Sequence, residues 1–153
     1  MNQNTTRRIV VCDIDETVSV IGQRRLRLLA DKVVDWKTFY EDDFDDEPKR
    51  GMCESVRRLI LNGVKVVFST SRCECCRDRT LSWLRSHIHP SIGDDILLMR
   101  PDRCDDSEAV QKVGKVLSRY GVEDIALVLD DNRSVLDAWT RRGVAVLDAG
   151  TIS

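Results

Sequence analysis

The chain has 153 residues, 42% of them hydrophobic and 33% charged, with a formal net charge of −2 and a pI near 5.7. That length suits one domain with a sizeable core, and the charge balance argues against a nucleic-acid coat or a membrane-surface protein while leaving contact with a nucleic-acid end open. No stretch approaches the roughly 20 apolar residues of a membrane span, and no long hydrophobic segment precedes the first apolar run, so the expected location is a cytoplasm.

Five short apolar, β-branched runs predict strands at residues 9–12, 64–68, 96–99, 125–129 and 144–147. The first ends in Asp13, Asp15 and Glu16, three acids in four positions. Residues 19–50 show no clear alternation beyond a short helix at 36–40, which suggests a hairpin or flap followed by an irregular loop. Arginines collect there at 24, 25 and 27, and the acidic run 41–47 reads as a solvated loop, with a gate or partner surface as the alternative. Val56, Leu59 and Ile60 form a helical face before the second strand, which Thr70, Ser71 and Arg72 follow. Six cysteines without a secretion signal are expected to be reduced. Cys73, Cys75 and Cys76, with Cys104 later, lack the paired CxxC spacing of strong zinc sites; they read as incidental thiols, with zinc or a redox-sensitive loop as the alternative.

Further helical faces are Leu81, Leu84 and Ile88; Val110, Val113, Leu117 and Tyr120; and Val135, Leu136 and Trp139. The fourth strand runs into Asp130, Asp131, Asn132 and Arg133, while Asn62-Gly63, Gly121 and Gly143 sit where helices would turn back. Strands alternating with amphipathic helices predict an α/β fold, a five-stranded, mainly parallel sheet covered on both faces.

Ligands of such sheets bind beyond the carboxyl ends of the strands, where strand order reverses. Polar clusters at three predicted strand ends therefore point to one site. Asp13 and Asp15, about 6–7 Å apart along an extended chain, share a side. A lone DxD is a weak signal, since acids at strand ends also cap turns. With Asp130 and Asp131 it becomes an all-oxygen set that suits magnesium over zinc, and magnesium brings phosphate. Arg72 can fork onto a phosphate, Thr70 can donate a hydroxyl, and a lysine would neutralise the transferring group. Asp13 fits the nucleophile of an aspartyl-phosphate route, and Asp15 the acid that protonates the leaving oxygen and then activates water.

These segments resemble motifs of the haloacid dehalogenase-like phosphohydrolases: IVVCDIDETV the family's DxDxT/V, VVFSTSR its strand ending in Ser or Thr, and LVLDDNR its acidic pair. The resemblance implies a Rossmann-like fold, magnesium at Asp13, Asp15, Asp130 and Asp131, and phosphate binding by Thr70, with Ser71 beside it. Glu16 stands where the family often has glycine, and it is expected to be a solvent-facing turn residue. A closer resemblance is to the 3′-phosphatase domain of bacteriophage-type polynucleotide kinase, carried by Arg72, by the acidic pair followed by Arg133, and by AWTRRGVAVLDAG. That subgroup uses a flap arginine, matched by Arg24 or its neighbour Arg25. Its third motif places lysine four residues after aspartate, whereas Asp106 is followed at that spacing by Val110. An insertion of about one helical turn makes Lys112 the candidate, with Arg103 and Lys115 as alternatives; helical spacing alone would put Lys112 on a solvated face.

Neither inter-motif gap holds a full cap domain, so an open site is expected. Open sites suit macromolecular ends, and the arginines favour a polyanion. The expected activity is magnesium-dependent removal of 3′-phosphates from polynucleotide ends, in a host cytoplasm if the protein is phage-encoded. The alternatives are a (deoxy)nucleoside monophosphatase and a non-catalytic binding protein of the same fold. No Walker GxxxxGK[ST] is present, so no kinase activity is expected.

Overall fold

The structure is a computed structural model that describes residues 8–22 and 46–152. In chain order its main elements are β1 (Ile9–Cys12), β2 (Ser19–Val20), β3 (Glu47–Pro48), α1 (Arg50–Leu61), β4 (Lys65–Cys73), α2 (Arg77–His87), β5 (Leu97–Arg100), α3 (Glu108–Leu117), β6 (Ile125–Asp130), α4 (Arg133–Thr140) and β7 (Val146–Asp148). Parallel strands form a sheet in the order β5-β4-β1-β6-β7. The chain therefore builds outward from β1 on one side, then crosses back to build on the other, and the reversal leaves a crevice at the carboxyl end of β1.

Period-2 alternation along β1 splits the core into two layers. Val10 and Cys12 join Met52, Cys53 and Val56 of α1 and Leu81, Trp83 and Leu84 of α2. Ile9 and Val11 join Val113 and Val116 of α3 and Val135, Ala138 and Trp139 of α4. Helices thus cover both faces. Among the described residues, none of these helices is long and apolar enough to cross a membrane.

The helix ends explain the sharp returns. Gly63 adopts φ 78°, its N–H bonding the Ile60 carbonyl while Val64 N–H reaches back to Leu59; this pair of bonds satisfies the last carbonyls of α1. Gly143 (φ 76°) does the same after α4. Gly121 instead has φ −74° and opens a short 3-10 turn, so it is not the left-handed terminator the sequence suggested.

Two further differences bear on the site. The second strand continues past residue 68 to Cys73, slipping register between Ser69 and Cys73 so that Cys73 pairs with Arg100. The polar Ser69–Arg72 stretch looks like a loop in sequence, but the sheet supplies its backbone partners. The segment after β1 begins and ends as an antiparallel pair, Ser19 opposite Pro48 and Val20 opposite Glu47. The expected helix at 36–40 and the arginines Arg24, Arg25 and Arg27 lie outside the described residues. Between β4 and β5 the chain holds α2 and short 3-10 turns, too little for a cap domain.

Candidate active site

Asp13 leaves the end of β1, its N–H hooked to the Leu129 carbonyl of β6 at 2.9 Å. The chain then folds tightly, with the N–H groups of Thr17, Val18 and Ser19 all converging on the Ile14 carbonyl. That turn requires Glu16 at φ 61°, the left-handed region where glycine costs least. Glu16 is the turn residue expected there and stands outside the acidic cluster, but it is only partly exposed: its Oε1 accepts from Ile21 N at 2.7 Å, and its carbonyl accepts from Lys49 Nζ at 2.6 Å. The turn also delivers Thr17, fully buried, whose Oγ1 donates to Asp13 Oδ2 at 3.0 Å and lies 3.4 Å from Asp131 Oδ1.

Lys112 fills the other side of Asp13. Its Nζ donates to Asp13 Oδ1 at 2.8 Å and to Asp130 Oδ2 at 3.0 Å, and Glu108 Oε1 lies at 2.8 Å. Helix α3 is rotated relative to the sequence expectation. Gln111, Lys112, Val113 and Val116 are its buried residues, and Val110 is 60% exposed. Lys112 is therefore on the inner face. Of the two alternatives, Lys115 lies 4.0 Å from Glu74, and Arg103, with φ 60°, lies in the loop beside the site.

A second ionic group surrounds Arg72, whose side chain is fully buried. Its Nε donates to Asp15 at 3.1–3.2 Å and its Nη2 donates to Asp15 Oδ1 at 2.6 Å. Nη2 also reaches Asp46 Oδ2 at 3.0 Å, and Nη1 reaches Thr80 Oγ1 at 3.3 Å. The sequence reading assigned this fork to phosphate; the structure turns it onto Asp15 and Asp46. Asp46, from the acidic run expected to be solvated, is 3% exposed.

Thr70 is buried at the edge of the crevice; its Oγ1 accepts from Arg72 N at 3.1 Å and its carbonyl accepts from Gln111 Nε2 at 3.3 Å. Ser71 and Arg103 border a cavity of about 780 Å³ that Cys73, Cys75, Arg100, Cys104 and Glu108 also line. Arg100 braces its loop by donating to the carbonyls of Cys104 and Asp106.

Negative charge exceeds positive at the crevice. Burial, then the Asp13 charge, push Asp130 up to about 8 despite the opposing pull of Lys112. The same two causes push Asp131 to about 7. For Lys112, burial works against the charge, but Asp13, Asp130 and Glu108 outweigh it and hold the ammonium protonated. Burial likewise raises Glu108, yet Lys112 and the hydrogen bonds around it leave Glu108 below its ordinary value. Asp13, Glu108 and Asp130 offer oxygens within 4.8 Å of one another. One lysine facing several carboxylates, with oxygen as the donor atom, fits a hard divalent cation as the missing charge. The carboxylate of Asp15 stands outside that cluster, committed to Arg72.

The cysteines divide. Burial pushes the thiols of Cys12, foremost, and of Cys53 (to about 11) upward, which makes them inert core residues. The sulfurs of Cys73, Cys75 and Cys76 lie together at the end of β4, in the cluster the sequence suggested as incidental thiols or, alternatively, a zinc or redox-sensitive loop.

Sequence reasoning passed over four contributors. Thr17 stands in the DxDxT pattern itself. Glu108 lies one helical turn before Lys112, a readable i,i+4 pair. Asn132 caps α4 through Ser134 N at 2.9 Å while its Nδ2 holds Glu108 Oε2 at 2.8 Å. Asp46 left no signal, because its partner Arg72 is 26 positions away.

A family model for the polynucleotide kinase PNKP phosphatase domain matches residues 7–151. None of the curated proteins matches the chain. Among solved structures, a chain of the Pnkp1/Rnl/Hen1 complex superposes with a TM-score of 0.71 at 21% identity, covering 96% of this chain and 47% of that one. A chain of the Pnkp1/Rnl/Hen1 RNA repair complex gives the same score and identity, with 44% of its length covered. The class C acid phosphatase from Bacillus anthracis with tungstate bound gives 0.61 at 17% identity, with 92% and 62% covered. These likenesses are of fold, and the chain spans less than half of the first two. The family match across almost the whole length, on the sheet order and strand-end carboxylates described above, places this chain in the haloacid dehalogenase-like family of polynucleotide kinase phosphatase domains.

Proposed function

We propose that the chain is a magnesium-dependent phosphomonoesterase that removes 3′-phosphates from polynucleotide ends through an aspartyl-phosphate. The observation that carries this reading is the Lys112 ammonium, clamped 2.8 Å from Asp13 and 3.0 Å from Asp130. It pins one Asp13 oxygen, and Thr17 meets the other. A nucleophile must be held in line with phosphorus, and such restraint supplies a large part of the barrier reduction.

Asp13 attacks phosphorus, and the bond to the departing 3′-oxygen breaks. Asp15, aimed by the Arg72 fork, donates its proton to that oxygen. Asp15 then takes a proton from water, which attacks the phosphorus of the acyl phosphate and returns Asp13 as a carboxylate. Asp13, Asp130 and Asp131 would hold the magnesium, which when bound supplies positive charge beside the phosphoryl oxygens. Lys112 supplies positive charge to the same group, and the Thr70 and Ser71 hydroxyls orient it. Arg24, or its neighbour Arg25, and Arg103 are assigned to the substrate phosphates. The family match supports a polynucleotide end over a small ester.

The test offers a 3′-phosphorylated oligonucleotide, its 5′-phosphorylated counterpart and free mononucleotides, each with and without magnesium. Phosphate release from the 3′-end alone, and only with magnesium, is expected. A large preference for mononucleotides would refute the end-processing assignment.

A further inference from the structure

Asp46 sits where the chain returns from residues 23–45 into β3, and its side chain is 1% exposed. Its two oxygens have different duties. Oδ1 accepts from Gly22 N at 3.1 Å, on the outgoing side of the same segment, and Oδ2 accepts from Arg72 Nη2 at 3.0 Å. Its backbone carbonyl accepts from Trp83 Nε1 of α2 at 2.9 Å, so the residue is anchored from the core as well. The nitrogen it holds is the one that meets Asp15 Oδ1 at 2.6 Å.

A guanidinium is planar, and fixing its nitrogens from several sides fixes the plane. Asp46 holds Nη2 and Thr80 holds Nη1, leaving the Nε–Nη2 edge presented to Asp15. Without Asp46 the arginine would keep Asp15 and Thr80 but lose the restraint on Nη2, the nitrogen that makes its shortest bond to Asp15, so the edge that aims the carboxylate would be held less tightly. We infer that Asp46 is a positioning residue for proton transfer, acting through Arg72 on the orientation of Asp15. The inference rests on the proposed role of Asp15. It assigns Asp46 no contact with substrate.

p-Nitrophenyl phosphate separates this role from a structural one. p-Nitrophenolate leaves without a proton, so attack by Asp13 does not need Asp15, whereas hydrolysis of the phosphoenzyme does. In Asp46→Ala the first turnover of p-nitrophenolate release should stay within about three-fold of the unsubstituted protein, while steady-state turnover falls roughly ten-fold or more and KM falls with it, leaving kcat/KM nearly unchanged. A burst should therefore appear. Asp46→Asn, which keeps the size and the acceptor for Gly22, should show the same split at a smaller ratio, and it decides the matter if the alanine variant does not fold. An active parent whose variants lose both phases together, or neither, overturns the inference alone. A parent that releases no p-nitrophenolate overturns the phosphatase reading, and the inference with it.

Discussion

Replacing Lys112 with methionine keeps the buried stem and removes the ammonium. Asp13 and Asp130 are then left facing one another, with the bond from Asn132 N to Asp130 Oδ1 at 2.9 Å still in place. Breaking a buried ion pair by deleting one partner costs about 3–5 kcal/mol when the remaining charge stays ionised. A carboxylate escapes that cost by taking up a proton, and Asp130 is pushed up to about 8 even with Lys112 present. Its folded value stands above its unfolded one, so the protonated group favours the folded state at low pH, and that contribution is lost as pH rises through about 8. Removing Lys112 moves the folded value higher still, so the decline continues to higher pH. The variant should therefore lose about 1 kcal/mol relative to the parent near pH 6 and about 3–5 kcal/mol near pH 9. Urea unfolding of both proteins at the two pH values, with EDTA present, reads the difference. An equal loss at both, or none at either, would refute the reasoning. Turnover by the same variant should fall by about 10²–10³, as for loss of one preorganised charge-stabilising donor.

Thr17→Val preserves volume but leaves Asp13 Oδ2 without the hydroxyl that meets it at 3.0 Å; a loss of about 1–3 kcal/mol is expected in thermal unfolding, with slower turnover. On the proposed site, magnesium displaces protons from Asp131 (about 7) and Asp130 (about 8), so calorimetric affinity should climb by about ten-fold per pH unit for each proton displaced below these values and flatten above them. An affinity independent of pH between those limits would count against both carboxylates as ligands. Gly63→Ala meets nothing within 4 Å of its new Cβ, so its cost is confined to the φ of 78°, about 1–2 kcal/mol in unfolding free energy. A neutral or stabilising result would mean that the turn does not hold that conformation.

Much of this was legible because the pieces are local. The β-branched runs ending in Asp13 and Asp130 announce buried parallel strands, and polar residues at their ends announce a site. What escaped was set by tertiary partners. Val110 and Lys112 exchanged faces because the apolar pattern of α3 also fits a slightly rotated arc, and three carboxylates make the lysine the better inward residue. Residues Ser69–Arg72 read as a loop because their polarity serves the crevice while their backbone serves the sheet. The Arg72 fork was assigned to phosphate because Asp15, 57 positions away, and Asp46 give no sign in the sequence of converging on it. Glu16 reads as a turn residue and is one, but nothing in the sequence announces its left-handed φ or its bonds to Ile21 and Lys49.

The central claim is that Asp13 takes up the phosphoryl group and Asp15 handles the protons. It is tested most directly by giving Asp15→Asn protein p-nitrophenyl phosphate with magnesium and weighing its peptides after an acid quench. The account predicts about one equivalent of p-nitrophenolate and one added phosphoryl group on the peptide containing Asp13, absent when Asp13 is also replaced by Asn. Continued turnover with no phosphoryl group on Asp13, or a phosphoryl group on another residue, would contradict it.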